Sequence, residues 1–383
     1  MENKAESDLG VVARGNTTFA IDLYQKLKEA KDNLFFSPYS ISTALAMTYA
    51  GARGNTERQM ARTLHFTLGQ RQLHPAFASL EARLNAVQEP GDIQLSVANS
   101  LWPQIDYIFL EEFISLTKKN YGVPITPVDY RHTEAARTKI NSWVEKKTEE
   151  KIKDLIPPPL INALTTLVLV NAIYFKGNWA SQFDPSSTED APFWLTPAAK
   201  IEAPMMTQQQ EFRYAESESL QVLELPYVGN DLSMIVLLPE DVNGLAELEN
   251  SLTTQNLERW VSGLWQREVL VVLPRFKMSW GFELSDTLAS MGMTDAFGGN
   301  ADFSGMDGTK SLYIDKVIHK AFIDVNEEGT EAAAATAVIM MRCLPPPPAV
   351  FRADHPFVFL IRDNITGSIL FLGRVVNPMV AAD

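Results

Sequence analysis

Residues 326–342 read Asn326-Glu327-Glu328-Gly329-Thr330-Glu331-Ala332-Ala333-Ala334-Ala335-Thr336-Ala337-Val338-Ile339-Met340-Met341-Arg342. The run follows a strand-like stretch, Leu312 to Val325, and is followed by four consecutive prolines, Pro345 to Pro348. Two local readings are open. Ala is the best helix former, so Glu331 to Met341 can be a plain surface helix. Read instead as a strand, the segment sorts by alternation. Thr330, Ala332, Ala334, Thr336, Val338 and Met340 then share one face, small at its start and free of charge, while Glu331 falls on the other. Such a face can slide between two existing strands, and Gly329 supplies the pivot for a segment that leaves as a loop and returns as a strand.

With these residues in view, the chain resembles the serpins over nearly its whole length. The hinge-like run Glu327, Gly329, Thr330, Glu331, Ala332, Ala333, Ala334, Ala335, Thr336 is similar to the reactive-loop hinge of the family's inhibitory members. Further serpin-like motifs stand in order: Asn33 to Ser42, Val170 to Trp179, Leu273-Pro274-Arg275-Phe276, Asp354-His355-Pro356-Phe357 and Phe371 to Pro378. The resemblance implies an α+β serpin fold, a single domain over 1–383 with a helix-rich N-terminal part and several β-sheets. A mobile reactive-centre loop is then expected at about 327–350. It further implies that Ser37, Ser40, Asn171 and His319 form the polar cluster where the main sheet opens, and that Trp179, Arg275 and Glu327 lie at the top of that sheet.

The same resemblance gives two registers for the scissile bond. Counting forward from Gly329 lands on Cys343, giving Cys343-Leu344. Counting backward from Val350-Phe351-Arg352-Ala353-Asp354 lands on Arg342, giving Arg342-Cys343 with the hinge side one residue short. Arg342 is favoured, because a guanidinium on an exposed loop fits the acidic specificity pocket of trypsin-like proteases.

Bulk composition narrows the partners. The 383 residues are 46% hydrophobic and 21% charged, ordinary values for a chain with a large core. A formal net charge of −14 argues against nucleic acid and against a heparin-type cofactor. Lys146 and Lys147 are offset by Glu145, Glu149 and Glu150 and read as a solvated helix face. One cysteine, Cys343, excludes an internal disulfide. No run reaches membrane-spanning length, and the first residues lack an apolar signal region. A cytoplasmic protein is the expectation for the chain as written, a secreted one if a signal peptide has been removed. Asn16-Thr17-Thr18 and Asn364-Ile365-Thr366 are glycosylation sequons of low specificity.

Periodicity predicts helices over Thr18–Glu29, Ser40–Ala52, Asn55–Leu64, Ala76–Val87 and Thr133–Lys153, the last ended by Pro157 to Pro159. A late helix is predicted over Trp280–Met291. Strands are predicted over Leu164–Phe175, Leu220–Tyr227, Leu232–Leu238, Val269–Met278, Leu312–Val325, Phe357–Ile361 and Ser368–Val375. Asp302 and Asp307 around Ser304-Gly305-Met306 read as a turn.

No nucleophile elbow, phosphate loop or dinucleotide fingerprint is present, and five His with one Cys offer no metal-ligand spacing. An enzyme, a metal and a cofactor are therefore not expected. The favoured reading is a suicide-substrate inhibitor of a serine protease, trypsin-like by preference with elastase-like targets possible, monomeric but capable of loop-to-sheet polymers. The alternatives are a non-inhibitory serpin serving as chaperone, carrier or storage protein, and a cross-class inhibitor of cysteine proteases. Non-inhibitory members tend to carry bulky, charged or proline residues in the hinge, whereas Thr330 through Thr336 are small apart from Glu331.

Overall fold

The computed structural model describes residues 7–123, 125–330 and 347–380. Glu331, Ala332 to Ala335, Thr336, Arg342, Cys343 and Leu344, expected above in the hinge and at the scissile bond, lie outside the described residues. Six helices dominate the first part: α1 (Asp8–Leu27), α2 (Pro38–Tyr49), α3 (Gly54–Thr63), α4 (Gln70–Gln88), α5 (Glu111–Tyr121) and α6 (Thr133–Lys147). The strands are β1 (Leu34–Phe36), β2 (Ile93–Pro103), β3 (Leu167–Asn178), β4 (Glu189–Thr196), β5 (Ala199–Glu216), β6 (Leu220–Pro226) and β7 (Leu232–Pro239). They continue as β8 (Trp265–Pro274), β9 (Phe276–Glu283), β10 (Lys316–Val325), β11 (Gly329–Thr330), β12 (Ala349–Arg352), β13 (Phe357–Asp363) and β14 (Ile369–Val375).

Among the described residues the strands form two sheets, in keeping with an α+β fold. One runs β1-β14-β13-β7-β6-β5-β8-β12, with β4 also on β5. In the other, β3 pairs antiparallel with β2 and parallel with β10, and β10 pairs antiparallel with β9. The apolar run of β3 is explained by burial on both faces. Leu167, Leu169, Ile173 and Phe175 join the main core, while Val168, Val170, Ala172 and Tyr174 pack with Ile140 and Val144 of α6 in a second cluster.

Four predicted elements are corrected. The expected helix over Trp280–Met291 is a strand as far as Glu283, and only Ser285–Ser290 is helical. Phe276, Met278, Trp280 and Phe282 alternate with Lys277, Ser279 and Gly281, a period of two that β9 uses to pair with β10. The predicted strand over Val269–Met278 is two strands in different sheets, parted at Arg275. The helix expected to reach Lys153 ends at Lys147, where Glu149 and Glu150 take left-handed φ of 51° and 61°. The supposed turn at Ser304 is a short helix over Ser304–Asp307.

Candidate functional site

Asn99, Asn171 and His319 form a polar row across three neighbouring strands. Asn99 of β2 is the register partner of Asn171 of β3, and Asn171 is the partner of His319 of β10. The row meets the start of α2. Ser37 caps that helix, its Oγ accepting from the Ser40 backbone N–H at 3.1 Å, while its own N–H donates to His319 Nε2 at 3.1 Å. An accepting Nε2 leaves the ring proton on Nδ1, which donates to Asn171 Oδ1. Asn171 Nδ2 in turn donates to Ser40 Oγ at 2.5 Å and to Asn99 Oδ1. Ser40 Oγ donates to Asn99 Oδ1 at 3.1 Å, and Asn99 Nδ2 donates back to the Ser40 carbonyl. Ser37, Ser40, Asn171 and His319, predicted together, are thus in one buried network.

The His319–Asn171 bond spans the seam between β3 and β10, so parting these strands must break it. Asn99 was missed. It stands in the period-two run Ile93, Leu95, Val97, Asn99, Leu101, where a polar residue in an otherwise apolar series was the available signal.

Burial lowers the His319 pKa to about 3 from its ordinary 6.5, and that of His74 to about 4. A depressed histidine pKa means the unfolded chain takes up a proton that the folded chain refuses, so stability falls as pH drops below 6.5. Between about pH 6.5 and about pH 5 the loss is about 2 kcal/mol for His319. Denaturant titrations of the parent and of His319→Phe test this. The variant, less stable at neutral pH, loses about 2 kcal/mol less over that interval; equal losses contradict the assignment.

The seam is closed only part-way. Pairing between β3 and β10 ends at Tyr174 and Phe322, although β3 continues to Asn178. Beyond that point the chain turns back at Glu327-Glu328, where Asn326 and Gly329 exchange backbone bonds of 2.9 and 3.3 Å. Gly329 and Thr330 then pair antiparallel with Asn178 and Gly177. Ile93 of β2 occupies the other edge of Gly177, so β11 lies on the edge that faces β10 and runs toward the closed part of the seam. Gly329 has φ of +135°, and a Cβ there would fall 2.3 Å from the Gly177 carbonyl oxygen. Only glycine fits that approach.

The turn is held from three sides. Trp179, stacked on Tyr227 at 4.6 Å, donates from Nε1 to the Asn326 carbonyl at 3.0 Å. Trp179 N–H donates to the Glu328 carbonyl, and Phe183 N–H to that of Glu327. The Glu327 side chain is only 7% exposed, with Arg275 Nε 3.4 Å from Oε2 and Thr188 Oγ1 donating to Oε1 at 2.6 Å. Trp179, Arg275 and Glu327 are therefore adjacent, and Glu327 is a buried, paired carboxylate at the mouth of the seam. Thr188 was not foreseen from sequence.

The family profile described as "Serpin (serine protease inhibitor)" matches residues 14–378. The chain belongs to the serpin family. Human leukocyte elastase inhibitor is 45% identical over 379 residues, covering 96% of this serpin and 99% of the relative. Among solved structures, uncleaved ovalbumin matches with a TM-score of 0.86 at 34% identity, covering 96% of this serpin and all of that chain. Human thyroxine-binding globulin matches with a TM-score of 0.88 at 31% identity over 98% of this serpin and all of that chain. This serpin thus falls among the inhibitors of serine proteases.

Proposed function

We propose that this chain is a single-domain, one-shot trap for a trypsin-like serine protease, with Arg342-Cys343 as the bond offered. The observation that carries the reading is the placement of Gly329 and Thr330, already paired with β3 at the mouth of an incompletely closed seam. The protease attacks the carbonyl of Arg342 and forms an acyl-enzyme. Cleavage frees the hinge from its distal anchor, and Glu331 to Thr336 follow Thr330 between β3 and β10 as a new strand, the strain-releasing insertion for which serpins are the known example. The polar row opens as the strands part, and its members find new partners in the widened sheet. About ten new ladder hydrogen bonds at roughly 1 kcal/mol each supply on the order of 10 kcal/mol. A drag of that size distorts an attached catalytic site, where ångström-scale displacement costs orders of magnitude in rate.

A second target class is favoured by a specific observation. The relative at 45% identity is named for leukocyte elastase, and Val338 to Met341 or Cys343 offer side chains that suit elastase- or chymotrypsin-like enzymes. Arg342→Ala separates the two. It is expected to abolish trapping of trypsin-like proteases, with a loss in rate of at least about a hundredfold, and to spare trapping of elastase-like ones. Mass spectrometry that finds a new amino terminus at Leu344, rather than Cys343, after reaction with the preferred target rejects the Arg342 register. The non-inhibitory reading is disfavoured by the small residues from Ala332 to Thr336, which meet no steric bar to burial as a strand. We take the chain to act as a monomer, with loop-to-sheet association between copies as its route to polymers.

A further inference from the structure

A cavity of about 460 Å³ lies on the opposite side of β2 from β3, where α2, α4, the end of α5 and α6 converge. That volume lies within the range of small-molecule sites. Its walls include the rings of Tyr39, Tyr121 and Trp143 and a carboxylate, Glu81. The two phenols are buried. Among the described residues no hydrogen bond or ion pair reaches the Glu81 carboxylate. Lys147, which also borders the cavity, makes no ion pair with it. Burial raises the Glu81 pKa. After burial itself, the charge on Glu81 is a further cause raising the phenols of Tyr39 and Tyr121, which line the cavity with it.

A partly desolvated carboxylate without a cation, beside aromatic rings, lacks one kind of occupant. We propose that this cavity binds a small organic cation, an amine on an apolar or aromatic body, with the ammonium on Glu81 and the body against the rings. The carboxylate supplies the charge-assisted bond, the rings supply apolar contact and cation–π attraction, and a neutral or anionic analogue gains only the apolar part. Asn99 lines the same cavity and is bonded to Ser40 and Asn171 in the polar row. An occupant in contact with Asn99 therefore favours the closed arrangement of that row, and binding raises the stability of the intact chain.

Calorimetric titration of the full-length intact chain with phenylbutylamine and with its neutral counterpart phenylbutanol tests the site. The amine is expected to bind once per chain and the alcohol roughly tenfold or more weakly. Glu81→Gln keeps the shape of the side chain and removes its charge, so it abolishes the preference for the amine. Its melting curve without ligand reports that it is folded. At the same amine concentration the melting temperature rises more in the parent than in Glu81→Gln. Equal affinity for amine and alcohol, a preference retained in Glu81→Gln, an equal melting rise in both proteins, or no saturable binding overturns the proposal. No protease enters this experiment, so its failure is separate from any failure of the inhibitor reading.

Discussion

Thr330→Arg converts the inhibitor into a substrate: the variant is cleaved at the same bond as the parent and releases active protease. Thr330 opposes Gly177 in an antiparallel pair, and opposed residues in such a pair share a face of the sheet. A Cβ at Gly177 would meet Phe175 at 2.9 Å and Ile93 and Tyr227 at 3.0 Å, so that face is the core face. A guanidinium carried there enters apolar surroundings without a partner, at a cost of about 3 kcal/mol or more. Such a cost on the insertion step slows it roughly a hundredfold. Deacylation, which competes with insertion for the same acyl-enzyme, then wins. The number of inhibitor molecules consumed per protease inactivated rises steeply, as active-site titration of the protease would show. Unchanged stoichiometry would mean that position 330 does not enter the sheet.

Nicking the loop between Val338 and Leu344 should raise the melting temperature by on the order of 20 °C. The intact chain pairs β3 with β10 directly over Lys316–Phe322 and Val168–Tyr174, and among the described residues Gly329 and Thr330 are the hinge residues paired with β3. Once the loop is cut, the remainder of the hinge can insert and complete the ladder. A gain on the order of 10 kcal/mol rivals the whole stability of an ordinary domain. Changes of about 1 kcal/mol shift melting by only a few degrees. Differential scanning calorimetry of intact and nicked protein gives the comparison directly. Superimposable melting curves would favour a chain whose sheet does not accept its own loop.

The pivot at Gly329, the adjacency of the polar cluster and that of the top-of-sheet residues were legible because each depends on a side chain that is odd for its place. Asn171 and His319 interrupt apolar strands, and Gly329 occupies a backbone conformation closed to other residues. The small face beginning at Thr330 departs from the bulky alternation of ordinary strands. What escaped was set by tertiary pairing. Asn99 looked like one polar residue among several in β2, because its role exists only once β2 lies beside β3. Trp280 and Phe282 suit a helix or a strand equally, and the edge of β10 decides between them. Thr188 reaches Glu327 from a separate loop 139 residues away in sequence, a juxtaposition without local signature. The helix α4 begins before Pro75 rather than after it, although a proline at that position forgoes an N–H bond to the preceding turn.

On the proposed mechanism, this serpin inactivates a serine protease by keeping it covalently attached. Incubation with trypsin followed by a denaturing gel tests it most directly. The expected result is a band at the summed mass of the two proteins less the released peptide that begins at Cys343, resistant to boiling in detergent, with loss of trypsin activity. Quantitative cleavage of the loop with full trypsin activity and no such band would contradict it.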